Sequence, residues 1–224
     1  MGYYIDLGKI TIEDYQTKLK SSYLPPSRLI LKEKLGERFG YFEQIGITNV
    51  KELIQILKRK DKFAELSKVA CLSGGYLTIL LRELNSILPK PNKLADFIWI
   101  SKNTIDKLEK NGITNTEKLY YKVLTKIDRQ KLVASTGIDY TEILELTKLT
   151  DLSRIKWVGV TYAQMLYDLG LDTAEKVSKA DPNDLYVRIN QRIKEHHIFK
   201  GGIGINDVKI LVETANELPL EIEY

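Results

Sequence analysis

The sequence has a single cysteine, Cys71, among 224 residues. One thiol excludes an internal disulfide and a cysteine-rich zinc site. Cys71 stands in an apolar stretch with no histidine beside it, which suits a small buried hydrophobe better than a nucleophile. There are two histidines, His196 and His197, and they are adjacent. Adjacent side chains diverge on a helix or strand, so two metal ligands on one face at i,i+4 are missing. No apolar run approaches the ~20 residues that span a bilayer. The opening Met1-Gly2-Tyr3-Tyr4-Ile5-Asp6 has no basic segment leading into an apolar one, unlike a signal peptide. Gly2 suggests myristoylation, but Asp6 stands where that motif carries Ser or Thr. No Gly-Lys-Ser/Thr phosphate loop and no Gly-x-Ser-x-Gly elbow occurs, and "GGIG" is too short for a dinucleotide fingerprint. The expectation is a soluble, cytoplasmic protein that is not an enzyme, needs no cofactor or metal and enters no membrane.

What is present is a well-mixed surface composition. The hydrophobic fraction of 43% is ordinary for a globular chain, and the net charge is +4. That charge is uneven. Residues 1–90 carry 15 Lys and Arg against 10 Asp and Glu, whereas residues 151–224 carry 9 against 12. The most basic short stretch is Lys58-Arg59-Lys60 with Lys62. A basic front of this kind suits phosphates; the plainer alternative is a solvated helix end.

The strongest pattern is internal. "QIGITNVKEL" from Gln44 returns as "KNGITNTEKL" from Lys110 and, more loosely, as "DLGLDTAEKV" from Asp168. Apolar residues at helical spacing precede Gly46, Gly112 and Gly170. A glycine just past a helix end adopts the left-handed conformation that closes the turn, and the apolar residue after it packs back on the helix. Next stand Thr48, Thr114 and Asp172, expected as N-caps, with Glu117 and Glu175 completing capping boxes in the second and third copies. In the first copy Asn49 with Glu52 offers a cap one residue later. Each copy thus reads as a helix stop and a helix start with almost nothing between.

Further similarity follows each corner, in "KVACLSGGYLTIL" from Lys68, "KLVASTGIDYTEIL" from Lys131 and "FKGGIGINDVKIL" from Phe199. Trp99 and Trp157 align in the stretches ahead of the second and third corners. The expected organisation is an N-terminal extension (1–24), with "YYIDLGKI" extended and a helix capped by Thr11, followed by three units at 25–90, 91–150 and 151–224. "LPKPN" separates the first unit from the second.

This arrangement resembles tandem helix–hairpin–helix domains. "IDKLEKNGITNTEKL" is similar to the N-terminal helix–hairpin–helix domain of Rad51/RadA-type recombinases. "DLSRIKWVGVTYAQMLYDLGLDTAEKVSKADPNDL" is closer to the bacterial family called domain of unknown function 4332. The resemblance implies an all-α fold of three helix–hairpin–helix-like units (SAM/Rad51 N-terminal-domain-like), around 12–15 short helices. For function it implies sequence-blind contact with DNA or RNA backbone. Two glycines let the chain approach a phosphate, and amides at a helix start point at its oxygens.

Tested against that pattern, Gly202-Ile203-Gly204 keeps both glycines, with Lys200 before and Lys209 after. In Ile155-Lys156-Trp157-Val158-Gly159 a tryptophan replaces the first glycine, which is expected to block close approach. Phe97 to Ser101 keeps neither glycine. Trp99 and Trp157 read as buried anchors or, alternatively, as stacking platforms for a base. The candidate nucleic-acid-binding residues are therefore Lys200, Gly202, Gly204 and Lys209, with Lys58, Arg59, Lys60 and Lys62 at the basic front. The competing expectation is a protein-interaction scaffold anchored by tyrosines and tryptophans.

Overall fold

A computed structural model describes residues 2–197 and 200–224. Met1 and Phe199, which open two of the stretches quoted above, lie outside the described residues, as does Ile198. Among the described residues there are thirteen α-helices, two short 3-10 segments and no strand. The fold is all-α. The "YYIDLGKI" stretch runs through bends and turns rather than an extended strand. Asp6 is the reason: its side chain accepts the Gly8 amide at 3.0 Å and its carbonyl accepts the Lys9 amide at 3.0 Å, which turns the chain.

The chain divides into two compact units. The smaller, Asp6–Leu88, holds α1 (Ile12–Ser21), a 3-10 segment (Pro26–Lys32), α2 (Leu35–Gln44), α3 (Val50–Lys58), α4 (Lys60–Leu66) and α5 (Gly74–Asn85). Helix α1 starts on Thr11, whose hydroxyl accepts the Asp14 amide at 3.0 Å. Its core joins Ile12, Tyr15 and Leu19 to Phe39 and Phe42 of α2, Val50, Leu53 and Leu57 of α3, and Tyr76, Leu77 and Leu80 of α5. Arg38 is buried here and hydrogen-bonded. It donates to the carbonyls of Cys71, Ile30 and Glu33 at 2.8–2.9 Å, and its guanidinium lies 3.9 Å from the Tyr76 ring centre. Cys71 is a buried free thiol.

The larger unit takes Pro89–Tyr224 together with the N-terminal residues through Ile5. Its elements are a 3-10 turn (Leu94–Asp96), α6 (Lys102–Lys110), α7 (Thr116–Tyr120), α8 (Lys126–Thr136), α9 (Tyr140–Leu152), α10 (Val160–Asp168), α11 (Ala174–Ser178), α12 (Pro182–His196) and α13 (Ile205–Asn216). One continuous hydrophobic cluster runs through it from Leu94 to Leu218. Helix α9 is the axis: it packs on α7, α8 and α10, and buries residues on every side, including Ile143, Leu146, Leu149 and Leu152.

The three glycine corners have one geometry. Gly46, Gly112 and Gly170 have φ of 84°, 76° and 79°. In each, the glycine amide reaches back three residues at 2.9 Å, and the next amide (Ile47, Ile113, Leu171) reaches back five at 3.0 Å. This is the paired hydrogen bonding of a left-handed helix stop. The following helix starts one residue later than Thr48, Thr114 and Asp172 suggest. The N-caps are Asn49, Asn115 and Thr173, whose side chains accept the amides of Glu52, Lys118 and Lys176. The delay has a cause. The carbonyls of Thr48 and Thr114 each accept an amide, from Ile12 and Leu94, in isolated antiparallel bridges that need those threonines extended. Asp172 is held elsewhere, by Lys148 at 2.6 Å and Lys176 at 2.7 Å.

The copies differ in what receives the first helical amide after the cap. In the first copy the Val50 amide goes to the Ile10 carbonyl at 3.0 Å, and in the second the Thr116 amide goes to the Asn92 carbonyl at 2.9 Å. In the third no such strand-like segment is at hand, and the Ala174 amide goes to the Asp151 carboxylate of α9 at 2.8 Å. Asp151 is buried and pairs with buried Arg154 at 2.7 Å. Arg154 also donates to the Tyr3 carbonyl at 3.1 Å and the Pro219 carbonyl at 2.7 Å. Removing one member of a buried pair leaves the other charge uncompensated, at a cost of about 3–5 kcal/mol. Asp151→Ala is expected to lower the unfolding free energy of the larger unit by about that much, against about 1 kcal/mol or less for breaking the surface Lys179–Glu175 pair with Glu175→Ala. Urea titration followed by tryptophan fluorescence reads this, since Trp99 and Trp157 both belong to that unit. Equal losses from the two variants would refute the assigned role of Asp151.

Candidate functional site

The expected residues fall into two groups, one in each unit. Lys58 ends α3, Arg59 is the joint, and Lys60 and Lys62 belong to the first turn of α4. Lys58, Arg59 and Lys60 are exposed. The cluster is half neutralised by its own helix. Arg59 pairs with Asp61 at 2.8 Å and Lys62 with Glu65 at 2.7 Å. The hydrogen bond from Arg59 holds the Asp61 carboxyl below its ordinary range, so that charge persists at neutral pH. What this front offers a polyanion is less than its letters suggest.

The Gly202–Gly204 turn joins α12 to α13, and Gly202 has a reason internal to the protein. A Cβ on Gly202 would fall 2.6 Å from the Asn190 side-chain oxygen. Asn190, on α12, clamps the turn by accepting the Ile203 amide at 2.9 Å and donating to the Ile203 carbonyl at 3.0 Å. At Gly204 the Asp207 carboxylate accepts the amide at 3.2 Å. The chain's own carboxylate thus takes the N-cap amide of α13, and Gly204 itself supplies no side-chain cap. Lys200 is exposed beside a cavity edged by Asn190, Lys194 and His197, and Lys209 is exposed on α13. Glycine followed three residues later by aspartate carried the signal for Asp207. Asn190 is too distant in sequence to be read locally.

The turn that lost its first glycine behaves differently. Ile155 and Val158 are buried, and the Val158 amide bonds the Ile155 carbonyl at 3.1 Å. Trp157, third in this turn, has φ of 66°. It holds the left-handed conformation that a glycine would adopt freely and that a bulky residue rarely adopts. The backbone thus keeps the left-handed angle that a glycine would take. Trp157 is 43% exposed and Trp99 36% exposed, so neither is the buried anchor expected from the sequence. Trp99 has no positive φ, and its ring meets Phe97 edge-on at 5.6 Å. Trp157 carries the Lys156 ammonium 4.6 Å from its ring centre, within cation–π range.

Helix α10 begins immediately after this turn, with Gly159 at its N-cap and no side chain accepting a capping hydrogen bond. A Cβ on Gly159 would meet nothing within 4 Å, and its φ of −85° suits any residue. Neither strain nor crowding inside the protein calls for glycine there. The two turns meet at one cleft of about 600 Å³, whose lining includes Lys156, Trp157, Val160, Tyr162, Ile203 and Asp207. Burial raises the Tyr162 phenol well above its ordinary pKa, so it stays protonated. Among the described residues no group of three His, Cys, Asp or Glu side chains is placed to hold a metal. No described helix is long and apolar enough to cross a membrane.

Compared with known families, residues 99–218 match the model described as Domain of unknown function (DUF4332). The match starts at Trp99, so it takes in the second glycine corner as well as the third. No curated protein and no solved structure matches the chain.

The Trp157 side chain is more than half covered, so its packing and its backbone strain oppose each other. Trp157→Gly relieves the backbone strain, and the larger unit is expected to keep its stability within about 1 kcal/mol. Urea unfolding followed by circular dichroism checks this; a loss beyond about 3 kcal/mol would mark Trp157 as a packing residue instead.

Proposed function

This chain belongs to the DUF4332 family, and we propose that it is a non-catalytic module that binds nucleic-acid backbone without regard to sequence, through paired helix–hairpin–helix-like turns. One juxtaposition supports this reading most. The Ile155–Gly159 turn and the Gly201–Gly204 turn border a single cleft, on which α10 opens its uncapped amides beside Lys156. Amides at a helix start carry partial positive charge and point at an anion. A glycine there lets a phosphate come close. The phosphate belongs on the α10 side, because Asp207 already fills the α13 side and repels a second anion.

Charge sets the strength. The larger unit carries 20 Lys and Arg against 20 Asp and Glu over residues 89–224. Long-range attraction is therefore weak, and the contacts are few. With about two phosphates engaged on a single strand, log affinity falls with log salt at a slope near −1.4. Lys200 adds charge at the far rim. In the smaller unit, Lys58 and Lys60 are the basic residues of the front outside its two ion pairs. A second reading, a protein partner, has its own observation: Ile98 is 87% exposed beside Trp99. Lone exposed apolar residues are common, so it ranks behind.

Fluorescence anisotropy of the full chain with labelled single-stranded DNA, duplex DNA and RNA tests the proposal. Micromolar binding at low salt is expected, with a log–log slope between about −1 and −3. Lys156→Glu and Gly159→Glu should each weaken it several-fold, and Lys209→Ala should leave it nearly unchanged. Absence of binding to all three probes at low salt would overturn the reading in favour of a protein partner.

A further inference from the structure

We infer that residues 218–224 form a releasable latch: a strap whose docking on α7 and α9 fixes the start of α11, and whose release loosens the α13 side of the cleft. The link to the cleft rests on the binding reading above; the latch itself does not.

Helix α13 ends at Asn216, and residues 219–224 have no regular secondary structure. A segment without hydrogen bonds of its own keeps its place through tertiary contacts. Leu218 is buried, but Leu220 is 56% and Tyr224 50% exposed, so burial holds only the root of the strap. Polar contacts hold the rest. Arg154 donates to the Pro219 carbonyl at 2.7 Å, and the Tyr120 hydroxyl of α7 donates to the Glu221 carboxylate at 2.9 Å. The Glu223 amide donates to the Leu124 carbonyl at 2.8 Å, between α7 and α8. The Tyr224 hydroxyl donates to Asp151, near the end of α9, at 3.1 Å. Burial raises both phenols well above their ordinary range, so both stay protonated and remain donors. Such bonds are individually modest, and a segment held by a few of them opens while the core stays folded. The Tyr224 contact carries the strap's influence inward. Its hydroxyl and the Ala174 amide share one oxygen, Oδ2 of Asp151, whose other oxygen pairs with Arg154. Both members of the buried pair therefore have the strap as a partner. When it leaves, water must replace the two lost bonds, and that water competes for the carboxylate that holds the Ala174 amide. Helix α11 starts at this residue and packs along α13, which brings Asp207 and Leu211 to the cleft. A loosened wall has to be ordered again as a ligand binds, which lowers its affinity. By linkage, a partner that captures the strap weakens the cleft, and a ligand in the cleft holds the latch shut.

Native-state hydrogen exchange of the full chain, resolved amide by amide, tests the latch without any variant. The Ala174 and Glu223 amides are expected to have protection factors within about threefold of each other and at least about a hundredfold below those of Leu146 and Leu149 in α9. Glu221→Ala removes a contact that touches neither Asp151 nor Ala174, yet it should lower the protection of both amides by about tenfold, and Tyr224→Phe should do the same. Either amide as protected as the α9 core in the unaltered chain, or acceleration confined to Glu223 in the Glu221 variant, would overturn the latch. The link to the cleft is read by anisotropy with a labelled single strand. Glu221 does not line the cleft, but Glu221→Ala should weaken binding about threefold. Unchanged affinity, with both amides accelerated, would overturn that link and leave the latch standing. Absence of binding by the unaltered chain would overturn the backbone reading and the link with it, while the exchange data still decide the latch.

Discussion

The larger unit depends on one buried ion pair, Asp151 with Arg154. A carboxylate and a guanidinium away from water are tolerable only if their remaining hydrogen-bonding capacity is used. Here it is. Beyond their mutual bond, Asp151 accepts the Ala174 amide and the Tyr224 hydroxyl, while Arg154 donates to the carbonyls of Tyr3 and Pro219. The Tyr120 ring lies against the guanidinium at 4.6 Å. The pair therefore ties together the end of α9, the third glycine corner and both termini of the chain. This also accounts for why Tyr3 to Ile5 group with residues 89–224 rather than with the helix that follows them.

The same pair solves a problem the repeat creates. Each glycine corner ends one helix and begins another with almost no connecting chain, so the new helix starts with amides that need acceptors. The first two corners borrow a carbonyl from a neighbouring segment, and the third has none to borrow. A carboxylate placed at the end of α9 supplies it, and burying that carboxylate calls for Arg154 three residues on. The letters repeat at the corner because local hydrogen bonding dictates them. They diverge at 151–154 because the supporting acceptor comes from elsewhere in the fold.

That division explains what could be read from the sequence. The all-α class, the left-handed glycines and the helix stops were legible, because backbone and adjacent residues settle them. Helix starts were misread by one residue at Thr114 and Asp172, and in the first copy the alternative cap Asn49 is the one used, because tertiary bridges and ion pairs decide them. The candidate site was legible as a pair of turns and misleading in its details. Gly202 and Gly204 matched the expected pattern, yet Asn190 crowds the first and Asp207 takes the amide of the second. Trp157 broke the pattern in letters and kept it in backbone angle. A glycine pattern records where the chain must approach something closely; the thing approached is as readily another part of the protein as a ligand.

Strain and vacancy are then better pointers than motif. At Gly202 the close approach is to Asn190, and at Gly204 the amide is taken by Asp207. At Trp157 the backbone holds a left-handed angle that a bulky residue rarely adopts, and at Gly159 a glycine stands without crowding or strain to require it. Glycine at 157 would hold the same backbone angle without strain, and serine or aspartate at 159 would cap α10. Trp157 and Gly159 stand two residues apart and border one cleft, and that juxtaposition is what the proposed site at the turn before α10 rests on.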